Sequence, residues 1–492
     1  MITFLICLLA LALGYVFYGS YVQRVFGPDD RATPAVTMAD GLDYVRMPRW
    51  KVFMIQFLNI AGTGPIFGAI MGAKFGPVAY LWIVLGCIFA GAVHDYLMGM
   101  MSMRCGGADL PMTVRRYLGR GVAGVLTVFS VFLLLMVGTV FVYSPALILD
   151  GICGSRLMWV GVIFVYYFIA TMLPIDKIIG RIYPLFSFSL LFMAVALFAV
   201  LLVRWPSLPE LWHGLGMPVQ GGGGISLDDV FPALFITIAC GAISGFHATQ
   251  SPLMARCLDS ERHGRGIFYG AMITEGMVAL VWATVSMWFF YCQPEPGYAQ
   301  IASAVDGAGS QAPLVVSLVC SDWLGVAGGI LALLGVVAAP VTSGDTAFRS
   351  ARLIVAQSVG LDQHSKIRRI YICVPLFAAS LLLLMWQIEN PDGFNTIWQY
   401  FGWGNQTLSV FTLWTVTVYL ARRRKPYVIT LVPALFMTAV CSAFVVVSPN
   451  ALGMSSVAGY VAAAVSCAVF AALFFRWKMR LGVDADGSGV SE

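Results

Sequence analysis

The chain has 492 residues, 59% of them hydrophobic and only 11% charged, with a mean hydropathy of +0.84. Soluble domains carry roughly 25% charged residues, so a soluble globular protein is excluded. The net charge of +5 is no nucleic-acid signature, because its cations lie in loops suited to an anionic lipid surface.

Thirteen apolar stretches are each near the ~20 residues that a bilayer needs. In order they are 2–22, 52–72, 76–103, 121–150, 157–174, 182–203, 229–255, 264–291, 324–348, 370–387, 393–420, 427–447 and 453–475. Of the 29 Lys and Arg residues, 26 fall in alternate connections, and only Lys74, Arg156 and Arg204 lie on the other side. Cytoplasmic loops retain Lys and Arg during insertion. The pattern therefore predicts a bacterial inner-membrane protein with its N-terminus outside and its C-terminus cytoplasmic. The first stretch lacks a basic leader and a small-residue cleavage site, which predicts a retained span. The external loop 292–323 holds no Lys or Arg, and its apolar run 313–319 predicts short helices over the outer face. The polar tail 484–492 is expected to be disordered.

Eleven cysteines are scattered with no CxxC and no Cys/His cluster, which argues against metal or redox work. Most read as apolar fillers of helix interfaces. Cys292 and Cys320 flank one external loop, where they could pair.

Two spans depart from ordinary helix. The second contains Asn59-Ile-Ala-Gly62-Thr63-Gly64-Pro65, and the seventh contains Gly241-Ala-Ile-Ser244-Gly245-Phe-His247 followed by Pro252. Unwound backbone at that depth is tolerated only where it is buried or lines a cavity; the alternative is a pair of kinked packing helices. The breaks lie in the first and sixth helices of a ten-helix block, and the charge pattern sends those two helices across in opposite directions. That predicts an inverted repeat with discontinuous first helices, the plan of secondary transporters that bind substrate at the midplane. The fold expected is an all-α polytopic membrane protein with a five-plus-five core. Its parts are an N-terminal helix and loop (1–51), a first repeat (52–204), an inverted second repeat (229–421), two C-terminal helices (422–478) and a tail (479–492).

Ionisable groups within a membrane are costly unless paired or hydrated, so each is a functional candidate. His94 and Asp95 lie in the third span, His247 follows the seventh-span break, Glu275 is in the eighth, and Asp345 and Arg349 are toward the inner end of the ninth. Adjacent helical residues point about 100° apart, so His94 and Asp95 need not act together. Glu275 is open to a snorkelling or helix-pairing role. Thr342, Ser343 and Asp345 offer oxygens that suit Na⁺, although an Asp345–Arg349 pair at i, i+4 would merely brace the helix. Asn405 and Gln406, in the eleventh span, read either as substrate contacts or as interhelical glue. Haem would need axial histidines on facing helices, and only His94 and His247 lie deep enough. No nucleotide, zinc or serine-hydrolase motif is present, so no enzyme activity and no cofactor are expected.

These segments resemble the carbon starvation protein A family. The matching stretches are Asp40-Gly41-Leu-Asp43-Tyr44-Val45, Ile60-Ala61-Gly62-Thr63-Gly64-Pro65-Ile66, Phe89-Ala-Gly-Ala-Val-His94-Asp95, Ser244-Gly-Phe-His247-Ala, Arg349-Ser-Ala-Arg352 and Phe401-Gly-Trp-Gly-Asn405-Gln406. They cover most of residues 40–410. The resemblance implies a fold similar to the amino acid–polyamine–organocation transporters, and uptake of peptides, or of pyruvate, when carbon is scarce. After the histidine this chain has Thr249-Gln250-Ser251-Pro252-Leu253 where the family suggests Ser-Ser-Gly-Thr-Thr, beside the expected pocket.

The expectation is an ion-coupled importer of small peptides working by alternating access, with a small carboxylate such as pyruvate as the alternative. Gly62, Thr63 and Gly64 would present free N–H groups and helix dipole to a substrate carboxylate. Gly241, Ser244, Gly245, His247, Asn405 and Gln406 would face them. The coupling ion is expected to be a proton on His94, Asp95, His247 or Glu275. The less favoured choice is sodium, held by Thr342 and Ser343, with Asp345 and with carbonyls freed near Ala61–Gly62.

Overall fold

The computed structural model describes residues 1–151, 154–173, 175–214, 230–292, 312–361, 363, 365–390 and 393–485, and is all-α over them. The Cys292–Cys320 pairing and the tail beyond 485 lie outside the described residues. Nine helices among the described residues are long and apolar enough to cross a membrane, and a bent pair, Arg49–Ala61 with Gly64–Phe75, makes a tenth span. The remaining three expected spans are helical but depart from that simple form. The fifth is the shorter Arg156–Met172. The seventh is two pieces, Ala233–Thr237 and His247–Ala255. The eleventh, Gly393–Arg422, is a 30-residue helix with its polar residues in mid-course.

Other differences follow from local chemistry. The ninth span extends well past its expected limits, as one helical run Ala312–Val359 kinked at Gly325. The apolar run 313–319 thus leads into that span. A helix not anticipated from the sequence, Leu110–Leu118, joins the third and fourth spans. Asp109 caps it by accepting from the Met112 N–H at 2.9 Å, and Pro111 occupies its first turn, where no N–H is needed.

Both expected breaks are present. At Gly62 the backbone adopts φ +46°, ψ −141°, a conformation that residues with a Cβ rarely take, and the flanking helices bend by 49°. In the seventh span, residues 238–246 leave the helix between its two pieces. The two breaks cross against each other. A Cβ on Gly64 would stand 2.2 Å from Cys240 Sγ, so only glycine permits this approach.

Two apolar clusters hold the bundle. One is built mainly from spans one to three, seven, eight and twelve. The other comes from spans four, five and ten, the inner half of nine and part of eleven. The seam between them passes the crossed breaks.

Candidate functional site

The seventh-span break is closed by a single side chain. Asn405 Oδ1 accepts from the Ser244 hydroxyl at 3.0 Å and from the Phe246 N–H at 2.6 Å, while the Asn405 carbonyl accepts from the Gly245 N–H at 3.2 Å. The Asn405 amide also reaches Cys240 Sγ at 3.5 Å. The exposed N–H end of the half-helix at His247 is therefore capped from the eleventh span, as an N-cap residue would cap it. Gln406 donates to the Phe235 carbonyl at 3.0 Å, the interhelical role weighed from sequence. Gly241 packs on the eighth span, since a Cβ there would lie 2.4 Å from the Ala279 Cβ.

The second-span break is left open. Both polar atoms of the Asn59 side chain, the Thr63 hydroxyl and the Gln56 Oε1 are buried without a hydrogen-bond partner. Buried polar groups nearly always have partners, and leaving one unmade costs about 1–3 kcal/mol. Four such atoms within two turns of one broken helix need a donor and acceptor supplied from elsewhere. The Ser343 hydroxyl reaches the break from the ninth span, at 3.1 Å from the Leu58 carbonyl and 3.0 Å from the Asn59 carbonyl.

The four deep ionisable residues of spans three, seven and eight form one chain. His94 Nδ1 lies 2.7 Å from Asp95 Oδ1, and His247 Nδ1 lies 2.8 Å from Asp95 Oδ2. On its other side, His247 Nε2 is 3.5 Å from Glu275 Oε2. All four are fully buried. The expectation that His94 and Asp95 act separately is thus corrected: their Cβ atoms diverge, but the carboxylate swings back to the neighbouring ring. An ionised Asp95 accepts from both imidazoles, fixing Nδ1–H on each and leaving Nε2 of His247 free to take a proton beside Glu275. Glu275 does not snorkel; it sits within the eighth-span helix Gly270–Met287. Both histidines turn Nδ1 to one carboxylate, so they do not oppose each other across a haem plane. The cysteines, scattered in sequence, nevertheless give one cluster in space. Cys240 Sγ, a His247 ring nitrogen and a Glu275 oxygen lie within 4.8 Å of one another. Cys240 also touches Gly64, so the cluster stands directly behind the crossing.

The ninth span divides its polar residues. Thr342 bonds to its own helix, at the Ala338 and Ala339 carbonyls, and only Ser343 meets the second-span break. Asp345 accepts from the Tyr183 hydroxyl at 2.7 Å. The Asp345–Arg349 brace does not form. Arg349 instead donates to the Ala170 and Leu173 carbonyls at 2.8 and 2.9 Å and stands 3.5 Å from Asp43. Arg352 is also 3.5 Å from Asp43. Burial alone would push the Asp43 carboxyl up, but the Arg352 and Arg349 guanidiniums outweigh it and hold it below the usual range. The loop between the first two spans is pinned by this pair and by Arg46–Asp259 and Arg262–Asp30.

Sequence reasoning found the two breaks and the titratable residues. It assigned no role to Asn59, Gln56, Cys240, Tyr183 or Asp43. Asn59 and Gln56, amides three residues apart just before the Gly62 break, were the available signal. Nothing local marks Tyr183, whose role depends on the ninth span.

The family model described as "Carbon starvation protein CstA" matches residues 1–148, 145–325 and 308–444. An uncharacterized membrane protein of Haemophilus influenzae is 44% identical over 59% of this chain and 91% of that protein. A protein of Campylobacter jejuni named peptide transporter CstA is 27% identical over 86% of this chain and 77% of its own. The pyruvate/proton symporter BtsT of Escherichia coli is 29% identical over 55% of this chain and 46% of that one. In fold, the chain is similar to the Eremococcus coleocola manganese transporter, with a TM-score of 0.60, 12% identity and coverage of 90% of this chain and 98% of that one. It is likewise similar to MhsT in complex with L-phenylalanine, with a TM-score of 0.56, 13% identity and coverage of 86% and 99%. These likenesses establish the inverted-repeat, leucine-transporter-like architecture that the paired breaks pointed to. With the family model spanning most of its length, this multi-pass membrane protein belongs to the carbon starvation protein CstA family.

Proposed function

We propose that the protein imports small peptides across the bacterial inner membrane by proton-coupled alternating access. The observation that carries the substrate reading is the open second-span break. Its unpartnered atoms include acceptors, Gln56 Oε1 and Asn59 Oδ1, beside a donor, Asn59 Nδ2. A peptide brings N–H donors as well as carbonyl and carboxylate acceptors, whereas pyruvate brings acceptors alone. The half-helix beginning at Gly64 offers N–H groups and positive dipole to the peptide carboxylate. Gly62, Thr63 and Gly64 therefore bind substrate, while Ser244, Gly245 and Asn405 hold the opposite wall in shape.

The coupling proton resides on the His247–Glu275 pair, with Asp95 orienting His247 and His94 completing the chain. This cluster touches the break through Cys240 and Gly64, so a change in its protonation acts on the segment that receives substrate. Ser343 and the Leu58 and Asn59 carbonyls offer oxygens for a sodium ion, which is the second reading of the coupling. The N-terminus is outside and the C-terminus cytoplasmic, as the charge pattern predicts.

Uptake into proteoliposomes tests the proposal. An imposed inward proton gradient in Na⁺-free buffer drives accumulation of a labelled tripeptide by the wild type, and Glu275→Gln, His247→Leu and Gly64→Leu abolish it at equal reconstitution. Strict dependence on a Na⁺ gradient overturns the proton assignment. Uptake of pyruvate with none of di- or tripeptides overturns the substrate.

A further inference from the structure

We propose that a groove on the C-terminal helices is a binding site for one anionic phospholipid, with an acyl chain lying along it and the phosphate held by Arg422. The groove has a volume of about 860 Å³ and runs between the eleventh, twelfth and thirteenth spans and the Leu110–Leu118 helix. Its walls are mostly apolar and aromatic, among them Val410, Phe411, Trp414, Phe470 and Leu473. Along the thirteenth span the lining runs from Ala462 to Trp477, about 22 Å at 1.5 Å per residue. That exceeds the ~15 Å of hydrocarbon in one leaflet, so the groove admits an extended chain from its headgroup end to the midplane.

Charge identifies the headgroup. The Arg422 guanidinium stands 5.6 Å from the Tyr117 ring and 5.7 Å from the Trp477 ring, and both rings line the groove. Two aromatic faces thus hold this cation at the groove's mouth. A second pocket of about 380 Å³ on the same Leu110–Leu118 helix is lined by Arg115, Arg116 and Arg120. Among the described residues, none of these four arginines has a carboxylate within ion-pair distance, whereas Arg46, Arg104, Arg262 and Arg352 each face one. A planar guanidinium pre-set by stacking suits a phosphate diester, and basic pockets between spans on the cytoplasmic side select anionic headgroups. The site is remote from the crossed breaks, so it stands whatever the substrate proves to be.

Native mass spectrometry of the purified full chain, titrated with phosphatidylglycerol or phosphatidylcholine, tests the assignment. The wild type binds one phosphatidylglycerol about tenfold more tightly than phosphatidylcholine, the difference expected from one charge-assisted contact. Arg422→Gln brings the two lipids level, while Arg24→Gln, an exposed cation of the first span, changes nothing. Thermal unfolding confirms that each variant is folded, and phosphatidylglycerol raises the melting temperature of the wild type and of Arg24→Gln only. Equal affinity for the two lipids, or an unchanged preference in Arg422→Gln, overturns the proposal. So does disulfide cross-linking of Leu473→Cys between two copies in phosphatidylglycerol membranes, because the groove would then be covered by a second chain.

Discussion

The two broken helices meet at one crossing, yet they are finished in opposite ways. In the seventh span the freed groups are taken up by Asn405, which serves Ser244 and Phe246 with its side chain and Gly245 with its backbone. In the second span Asn59 and Thr63 keep every polar side-chain atom unpartnered at full burial. Pseudo-symmetric halves need not share a role, and polar satisfaction separates them. The satisfied break is wall and the unsatisfied break is receptor. Glu275 and His247 lie behind the wall, where they sense the crossing without lying in the substrate's path.

The largest effect belongs to Asp95, since one carboxylate orients both histidines. Breaking a buried charged network costs about 3–5 kcal/mol, so Asp95→Asn should lower proton-driven uptake more than ~100-fold. Retained coupling in that variant would remove the cluster from the mechanism.

The comparison itself is tested by a pair of amides. Asn405→Ala strands the Ser244 hydroxyl and the Phe246 N–H, at about 1–3 kcal/mol for each unsatisfied group, so the melting temperature in detergent should fall by several degrees. Asn59→Ala breaks no side-chain bond within the protein and should stay within about 0.5–1 kcal/mol of wild type while uptake of peptide falls. Equal destabilisation of the two variants would erase the contrast.

A smaller loss is expected for Ser343→Ala, which removes the hydroxyl resting on the Leu58 and Asn59 carbonyls. A net hydrogen bond is worth about 1 kcal/mol. Proton-driven uptake should fall modestly, and a complete loss restored by high Na⁺ would move the coupling ion to this position.

The smallest effect is one of pH slope, on the cytoplasmic side that anchors the ninth span beneath the open break. Burial pushes the Asp109 carboxyl up to about 6, against the opposing Met112 N–H and Arg256. With an unfolded value near ~3.9, its contribution to stability is present below roughly pH 4 and is lost as pH rises through about 6. Asp43 has the opposite sign, because its folded value is depressed. Its contribution is present above the unfolded value and is lost as pH falls. Asp109→Asn should therefore flatten the neutral side of the melting-temperature profile, and Asp43→Asn the acid side. Identical profiles would show that neither carboxyl is buried as described.

Span positions, the direction of each crossing and the two breaks were legible in the chain because they rest on local quantities: apolar length, loop charge, and the backbone demands of Gly62 and Pro65. Asn405 was noticed, but its role as the cap of a distant break was not, since Ser244 and Asn405 are 161 residues apart. The same holds for Asp345, whose nearest helical cation was Arg349. The fifth-span carbonyls and Asp43 claim that guanidinium, and Tyr183 claims the carboxylate. Helical spacing says which side chains are able to meet, and tertiary packing decides which do. Amino-acid order by itself determined an all-α membrane protein with two discontinuous helices in an inverted pair. The folded arrangement alone decided that His94, Asp95, His247 and Glu275 form one hydrogen-bonded and ion-paired chain and that one break is sealed while the other stays open. The physical reason is that a buried polar atom must find its partner wherever the fold places one, and no local pattern records where that is.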